Sequence, residues 1–437
     1  MSITLIVNPG GRLQGRLRVP GDKSISHRAI MLGAIAEGRT ELHGFLEGED
    51  TLATLAAFQT MGVAIDRPAP GHVRIQGVGL RGLKPPSQPL YLGNSGTSMR
   101  LLAGLLAGQA FDSVLTGDAS LSKRPMQRIV EPLSRMQAQL QCTTASTPAL
   151  SIIGGRSLQG ITYVMPVASA QVKSCLLLAG IYAQGRTCVI EPGPTRDHTE
   201  RLLERFGYPL VPLENRVCID GGGRLQGGVI QVPADLSSAA LFLVGATIAR
   251  DADLLLEQVG VNPTRTGVID ILRLMGADLS LTNPRDEGSE PVADIRVRTS
   301  RLHGIEIPKP LVPRAIDEFP VLFIAAACAE GVTVVKGAQE LRYKESDRIQ
   351  TMACGLRALG IHAQATEEGM IIEGGALTGG CIDSQGDHRV AMAFAIAALS
   401  ASDPIEIRDC ENINTSFPRF AEMAHGVGLD ISVRGEE

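Results

Sequence analysis

The chain has no tryptophan, and aromatic residues make up only 3% of its 437 positions. A core with so few rings must be filled by aliphatic and small side chains, and the 49 glycines suit close backbone approach. No uninterrupted apolar run reaches about 18 residues, the length that spans a bilayer, so a membrane helix is not expected. Met1 to Gly11 carries no cationic start followed by an apolar stretch and a cleavage site, so neither a secretory signal nor a transit peptide is expected. The eight cysteines run from Cys142 to Cys410 without a Cys-x-x-Cys pair. Neither a zinc site nor a disulfide framework is therefore indicated, and reduced thiols in a cytoplasm are the expectation. Net charge of −5 argues against a nucleic-acid binder, whose affinity needs a broad cationic surface. Also missing are a P-loop, a dinucleotide-binding glycine fingerprint and metal-ligand spacing, so no cofactor and no metal are expected.

What is present fits a soluble globular protein: 44% hydrophobic and 20% charged residues. The length exceeds one ordinary core and favours two domains. An internal repeat supports this. Six times the chain offers an apolar helix of small residues, beginning near Ser26, Gly96, Ser169, Asp235, Asp317 and Asp387. Six times an amphipathic helix follows with a related ending, as in Leu272-Arg273-Leu274-Met275-Gly276 and Leu356-Arg357-Ala358-Leu359-Gly360. Alternating segments such as His72-Val73-Arg74-Ile75 read as strands between them. Hinges are expected near Pro20 and Val232-Pro233, separating a domain of residues 21–233 from one of 1–20 plus 234–437.

Polar groups gather at the starts of the apolar helices. Lys23, Ser24 and Arg28 follow the turn at Pro20-Gly21, where unpaired backbone N–H groups and the positive end of the helix dipole favour an anion. Asn94-Ser95-Gly96-Thr97 sets a glycine at a second helix start. Lys123-Arg124 follows the turn Gly117-Asp118. Lys344 and Arg348 stand four apart, which suggests one helical face, with Glu345 beside them. Arg389 opens an apolar helix after Asp387-His388. Ser, Asp and Asn at such places are also ordinary N-caps, but Arg, Lys and Gln are not. The recurrence of cations beside glycine turns and helix ends points to a substrate with several negative charges. Asp317 and Glu345 supply carboxylates for acid–base work among them.

Together Gly21-Asp22-Lys23-Ser24-Ile25-Ser26-His27-Arg28, Gly93-Asn94-Ser95-Gly96-Thr97-Ser98-Met99-Arg100, Lys123-Arg124-Pro125-Met126, Lys344-Glu345-Ser346-Asp347-Arg348 and Gly386-Asp387-His388-Arg389 resemble the 5-enolpyruvylshikimate-3-phosphate synthase family. The likeness spans nearly the whole chain and is nearest to the second, more divergent class. It implies an α/β fold of two domains, each three copies of a βαβαββ unit, forming inside-out α/β barrels that close over the substrates. It implies transfer of the enolpyruvyl group of phosphoenolpyruvate to the 5-hydroxyl of shikimate 3-phosphate. In the resemblance, Lys23, Ser24, Arg28, Ser169, Ala170, Gln171, Arg196, Asp317 and Lys344 hold shikimate 3-phosphate. Lys23, Asn94, Gly96, Arg124, Gln171, Arg348 and Arg389 surround phosphoenolpyruvate. Asp317 resembles the base, and Glu345 with Lys23 the acid.

Some positions depart from the family pattern. Thr415-Ser416-Phe417-Pro418 lacks a phosphate-contacting lysine, and Glu340 stands where many members have Asn. The run Thr195-Arg196-Asp197-His198-Thr199-Glu200 replaces a Ser and Tyr region, with Arg196 expected to take over a phosphate contact. Gly96 leaves room for glyphosate, so ordinary sensitivity is expected. The rivals are the UDP-N-acetylglucosamine enolpyruvyl transferase, which usually carries a reactive loop cysteine, and a non-catalytic binder of phosphometabolites. A cytoplasmic monomer is expected, with no nucleic-acid or membrane partner.

Overall fold

The computed structural model describes residues 3–144, 147–213 and 215–435; the terminal residues 1, 2, 436 and 437 of the expected domain ranges lie outside them. Twelve α-helices alternate with strands among the described residues. They are α1 (Lys23–Ile35), α2 (Glu49–Thr60), α3 (Gly96–Ala107), α4 (Gln127–Arg135), α5 (Ala170–Gly180) and α6 (His198–Arg205), then α7 (Leu236–Ile248), α8 (Gly267–Leu274), α9 (Phe319–Ala327), α10 (Arg348–Ala358), α11 (His388–Ala397) and α12 (Phe420–Gly426). The odd-numbered helices are the apolar ones. In α7 every residue from Leu236 to Thr247 is buried, and in α9 every residue is. A helix apolar all round belongs inside a core. The even-numbered helices keep a polar face, as in α4 and α6, where no more than half of the positions are buried.

The chain divides into two compact units, Gly21–Val232 and Met1–Pro20 with Pro233–Glu437, each with its own core. In the unit Gly21–Val232, three four-stranded sheets repeat one pattern: a parallel pair, then two antiparallel neighbours. The first runs Val229–Gln231, Glu37–His43, His72–Val78, Ala64–Ala69. The second runs Leu90–Tyr91, Ser113–Thr116, Thr147–Ile153, Gln139–Thr144. The third runs Thr162–Val164, Arg186–Ile190, Arg216–Asp220, Leu210–Leu213. The last strand of the unit thus pairs with its first, and α1, α3 and α5 lie in the core those sheets cover. Gly104 shows how tightly: a Cβ there would lie 2.1 Å from the Cys175 carbonyl oxygen of α5. Only glycine permits that approach, and an added methyl in such a core costs about 1–3 kcal/mol.

The other unit repeats the pattern with borrowed strands. Gln14–Leu17 pairs in parallel with Asp253–Gly260, which continues antiparallel into Glu290–Arg298 and Asp278–Glu287. Ile3–Val7 lies between Ile405–Arg408 and Ile431–Gly435, with Gly380–Asp383 beyond. A three-stranded sheet of Val332–Val335, Gly369–Glu373 and His362–Thr366 completes it. The first residues of the chain belong to this unit because its sheets need them. The six helix pairs expected from the sequence are all present, one pair per sheet.

Two local readings differ. Cys188 and Cys218 form a disulfide, against the expectation of reduced thiols throughout. Antiparallel pairing of Arg186–Ile190 with Arg216–Asp220 sets them directly opposite, a register that a separation of 30 residues does not disclose. The remaining thiols behave as expected; burial pushes Cys175, Cys328 and Cys410 up to about 12. Lys344 and Arg348 do not share a helical face. A 3₁₀ turn ends at Tyr343, and Asp347 caps α10 by accepting from the Gln350 N–H, so the helix begins at Arg348. Among the described residues, no helix is long and apolar enough to cross a membrane.

Candidate active site

In the unit Gly21–Val232, the starts of α1, α3 and α5 gather most of the expected substrate-binding residues. Asp22 caps α1, accepting from the Ile25 N–H at 2.9 Å, so the helix begins at Lys23 with Lys23 and Ser24 in its first turn. The Lys23 ammonium pairs with Asp50 of α2, itself buried. Arg28, one turn on and 4% exposed, donates to Thr199 of α6 at 2.7 Å, to Ser174 of α5 at 2.9 Å and to the Ser24 carbonyl at 3.0 Å. One guanidinium therefore joins three helices, and its planar fork arrives pre-oriented.

Ser95 caps α3, and Gly96 is its first residue. A Cβ at Gly96 would lie 3.1 Å from the Arg100 guanidinium and 3.2 Å from that of Arg124, so the glycine leaves the space in front of both cations open. Arg124 donates to Asn94, whose amide donates on to Asp118 at 2.7 Å. Arg100 donates to Gln171 at 2.6 Å, and Gln171 donates to Thr97 at 3.1 Å. Ser169 caps α5, with Ala170 as the first helical residue. Behind these groups His27 meets Thr54 at 2.8 Å and Ser98 at 3.2 Å. Burial, with Lys23 and Arg28 adding to it, holds the His27 imidazole well below its ordinary pKa, so it stays neutral beside the cations.

The loop between Ile190 and α6 carries Arg196. It is braced from below by Lys173 of α5, which is nearly fully buried. Its ammonium lies 3.1 Å from Glu191 and 2.6 Å from Glu200, and Thr195 donates to Glu191. Burial would lower the Lys173 pKa, but the two carboxylates outweigh it and keep the charge.

In the other unit, Asp317 precedes α9 and faces Lys344 at 3.2 Å and Arg348 at 3.7 Å. Arg348, 1% exposed, is the hub: it bonds Asp387 at 2.8 Å and Glu345 at 2.6 Å. Burial disfavours its charge, yet Asp387, Glu345 and Asp317 raise its pKa on balance. Burial likewise pushes Asp387 up, and Arg348 more than reverses this, holding the carboxylate below its ordinary value. Asp387 also caps α11, accepting from the N–H groups of Arg389 and Val390. Arg389 donates to the Asp317 carbonyl oxygen at 3.1 Å. Below it, Glu318 accepts from Ser237 and lies 3.5 Å from Arg265. Glu340 reaches Lys344 at 3.5 Å. Thr415 is buried and donates to the Asn412 carbonyl at 2.6 Å, so at that position the chain has a structural hydroxyl in place of a cation.

The structure thus brings Lys23, Ser24, Arg28, Asn94, Gly96, Arg124, Ser169, Ala170, Gln171 and Arg196 to helix starts and loops of one unit. It gathers Asp317, Lys344, Glu345, Arg348 and Arg389 in the other. Sequence reasoning assigned no role to Asp50, Arg100, Asp118, Lys173, Thr199 and Glu318, the partners that fix these groups. Arg100, Asp118, Thr199 and Glu318 lay within stretches already singled out; Asp50 and Lys173 had no local signal.

Residues 7–423 match the EPSP synthase (3-phosphoshikimate 1-carboxyvinyltransferase) family profile. The chain is 64% identical to the 3-phosphoshikimate 1-carboxyvinyltransferase of Methylococcus capsulatus, over 99% of each chain. It is 65% identical to that of Nitrosococcus oceani, over 98% of this chain and 97% of the relative. Among solved structures it resembles EPSP synthase from Acinetobacter baumannii at 57% identity, with a TM-score of 0.89 and full coverage of both chains.

Proposed function

The chain belongs to the EPSP synthase family, and on that premise we propose how its own residues carry out 3-phosphoshikimate 1-carboxyvinyl transfer. The reaction moves the carboxyvinyl group of phosphoenolpyruvate to the 5-hydroxyl of shikimate 3-phosphate and releases phosphate. The observation that carries the residue assignment is the sorting of groups just described. Hydrogen-bonded cations crowd the helix starts of one unit, and a carboxylate flanked by Lys344 and Arg348 stands before α9 of the other.

Phosphoenolpyruvate is a poor electrophile until its methylene carbon takes a proton. Glu345, held by Arg348, delivers that proton, and Lys23 is the second group that the family pattern assigns to this step. Asp317 takes the proton of the 5-hydroxyl as its oxygen attacks C2, and Lys344 compensates the carboxylate. The tetrahedral adduct then expels phosphate by C–O cleavage while its methyl group returns a proton to the ionised Glu345, which restores the C=C bond of the carboxyvinyl product; the proton held by Asp317 leaves with the phosphate. Arg124, Arg348 and Arg389 hold the phosphate and carboxylate of phosphoenolpyruvate, with Asn94, Gly96 and Gln171 around it. Lys23, Ser24, Arg28, Ser169, Ala170, Gln171, Arg196, Asp317 and Lys344 hold shikimate 3-phosphate, with Lys23 also touching phosphoenolpyruvate. Every step uses side chains of this chain, and the scheme calls for no metal. The same reading takes the protein as a cytoplasmic monomer, which its native mass in solution checks.

The test is phosphate release from phosphoenolpyruvate with either shikimate 3-phosphate or UDP-N-acetylglucosamine as acceptor. Release with the former alone is expected. Release with the nucleotide sugar would move the acceptor assignment to the related transferase. Tight ligand binding without release would leave a binder.

A further inference from the structure

We propose that Glu41, His43 and His72 form a binding site for a divalent transition metal of the zinc class, on the solvent-facing side of the first sheet of the unit Gly21–Val232. The register makes the site. Glu37–His43 and His72–Val78 run antiparallel with His43 opposite His72 and Glu41 opposite Arg74. Leu42, Val73 and Ile75 are buried on the core face. Alternation along the strands then puts Glu41, His43, His72 and Arg74 together on the other face.

The two imidazoles stack with centroids 4.5 Å apart. Their Nε2 atoms each lie 3.9 Å from one oxygen, Glu41 Oε2. That distance is too long for a hydrogen bond. One ligand atom from each residue lies within 4.8 Å of the other two. The His72 Nε2 atom is shielded from solvent and has no hydrogen-bond partner, which is costly for a ring nitrogen unless something is bound there. A tetrahedral ion with bonds of about 2.0–2.1 Å needs ligand atoms about 3.4 Å apart. Small side-chain rotations would close these three around an ion and leave a fourth position for water.

The neighbours of Glu41 fit a second layer. Its other oxygen, Oε1, pairs with Arg39 and lies 3.9 Å from Arg74. The guanidiniums turn Oε2 toward the histidines, as outer partners orient ligating carboxylates. Their positive charge also weakens binding, so micromolar affinity is expected. Imidazole with one carboxylate suits zinc, nickel or copper; magnesium and calcium prefer all-oxygen shells. The inference does not depend on the transfer reaction.

Isothermal titration of the full chain with zinc chloride, in a non-chelating buffer, tests it. One equivalent should bind to the parent chain. His43→Ala and His72→Ala should each weaken it by at least about tenfold, and Glu41→Gln by less. Magnesium chloride should give no binding at this site, and metal-free turnover should match the parent in all variants. Six free cysteines set the background. Zinc that binds with unchanged affinity to both histidine variants sits on thiols and overturns the proposal, as does a parent chain that binds none. A second readout needs no variant. One equivalent of zinc should protect His43 and His72 from acylation while exposed His362 still reacts. Equal labelling with and without zinc would overturn the site.

Discussion

The two units handle charge in opposite ways. In the unit Gly21–Val232, the cations at the helix starts lean mainly on neutral partners: Arg28 on Thr199 and Ser174, Arg124 on Asn94, Arg100 on Gln171. These hydrogen bonds orient the guanidiniums at the helix starts, as befits anion recognition. In the other unit the cations are closely answered by carboxylates. Arg348 meets Asp387, Glu345 and Asp317, and Arg265 meets Glu318 and Asp235. Such a cluster is balanced before any substrate arrives, and its carboxylates can exchange protons. The same repeat therefore sets guanidiniums on neutral partners in one unit and an ion-paired cluster in the other, which fits the binding and proton-transfer roles proposed for them.

Removing the hub of the balanced cluster should do the most damage. Arg348→Ala leaves Asp387 buried without its partner, a loss of about 3–5 kcal/mol. Denaturant unfolding should report that loss together with lost turnover. A variant as stable as the parent would mean the cluster is not balanced as described. Next comes an ion-paired cation of the unit Gly21–Val232, where Lys173 stands between Glu191 and Glu200 much as Lys23 meets Asp50. Lys173→Met should raise KM for shikimate 3-phosphate about tenfold through the loop bearing Arg196, with kcat much less changed. Lys173→Arg should restore part of it. An unchanged KM would separate Lys173 from substrate binding. Gly96→Ala should raise KM for phosphoenolpyruvate by several-fold and leave shikimate 3-phosphate binding alone, because the new methyl crowds Arg100 and Arg124. Equal effects on both substrates would show a general distortion.

The mildest contrast is in pH. His27 is held neutral when folded, so the unfolded chain takes up the proton first; its contribution is intact above about 6.5 and is lost as pH falls below that. Asp387 is depressed below its ordinary value of 3.8, so its contribution persists above that value and is lost only as pH falls through the lower folded pKa. Hydrogen exchange on acidification should therefore loosen amides of α1 and α3 before those of α10 and α11. The reverse order would contradict the contrast.

The repeat was legible because a helix such as α7, apolar on every side, leaves a plain mark in sequence. Motif positions also disclosed which cations open which helix. Their partners were hidden, since Lys23 to Asp50 and Arg28 to Thr199 are contacts of tertiary structure with no fixed spacing. The break between Lys344 and Arg348 was hidden for a nearer reason. A four-residue spacing reads as one helical face until Asp347 is seen to cap the helix. Register-dependent pairs, Cys188 with Cys218 and His43 with His72, become visible only once strands are aligned.

The division of labour is tested most directly by comparing Asp317→Ala with Arg28→Ala, measuring shikimate 3-phosphate affinity and the single-turnover rate at saturating substrates. Asp317→Ala should bind shikimate 3-phosphate nearly as the parent does and lose about 10²–10⁴ in rate. Arg28→Ala should bind weakly and, once saturated, turn over far faster than Asp317→Ala. If Asp317→Ala lost affinity while keeping its saturated rate, or Arg28→Ala bound normally and did no chemistry, the assignment of proton transfer to Asp317 and of shikimate 3-phosphate binding to Arg28 would be contradicted.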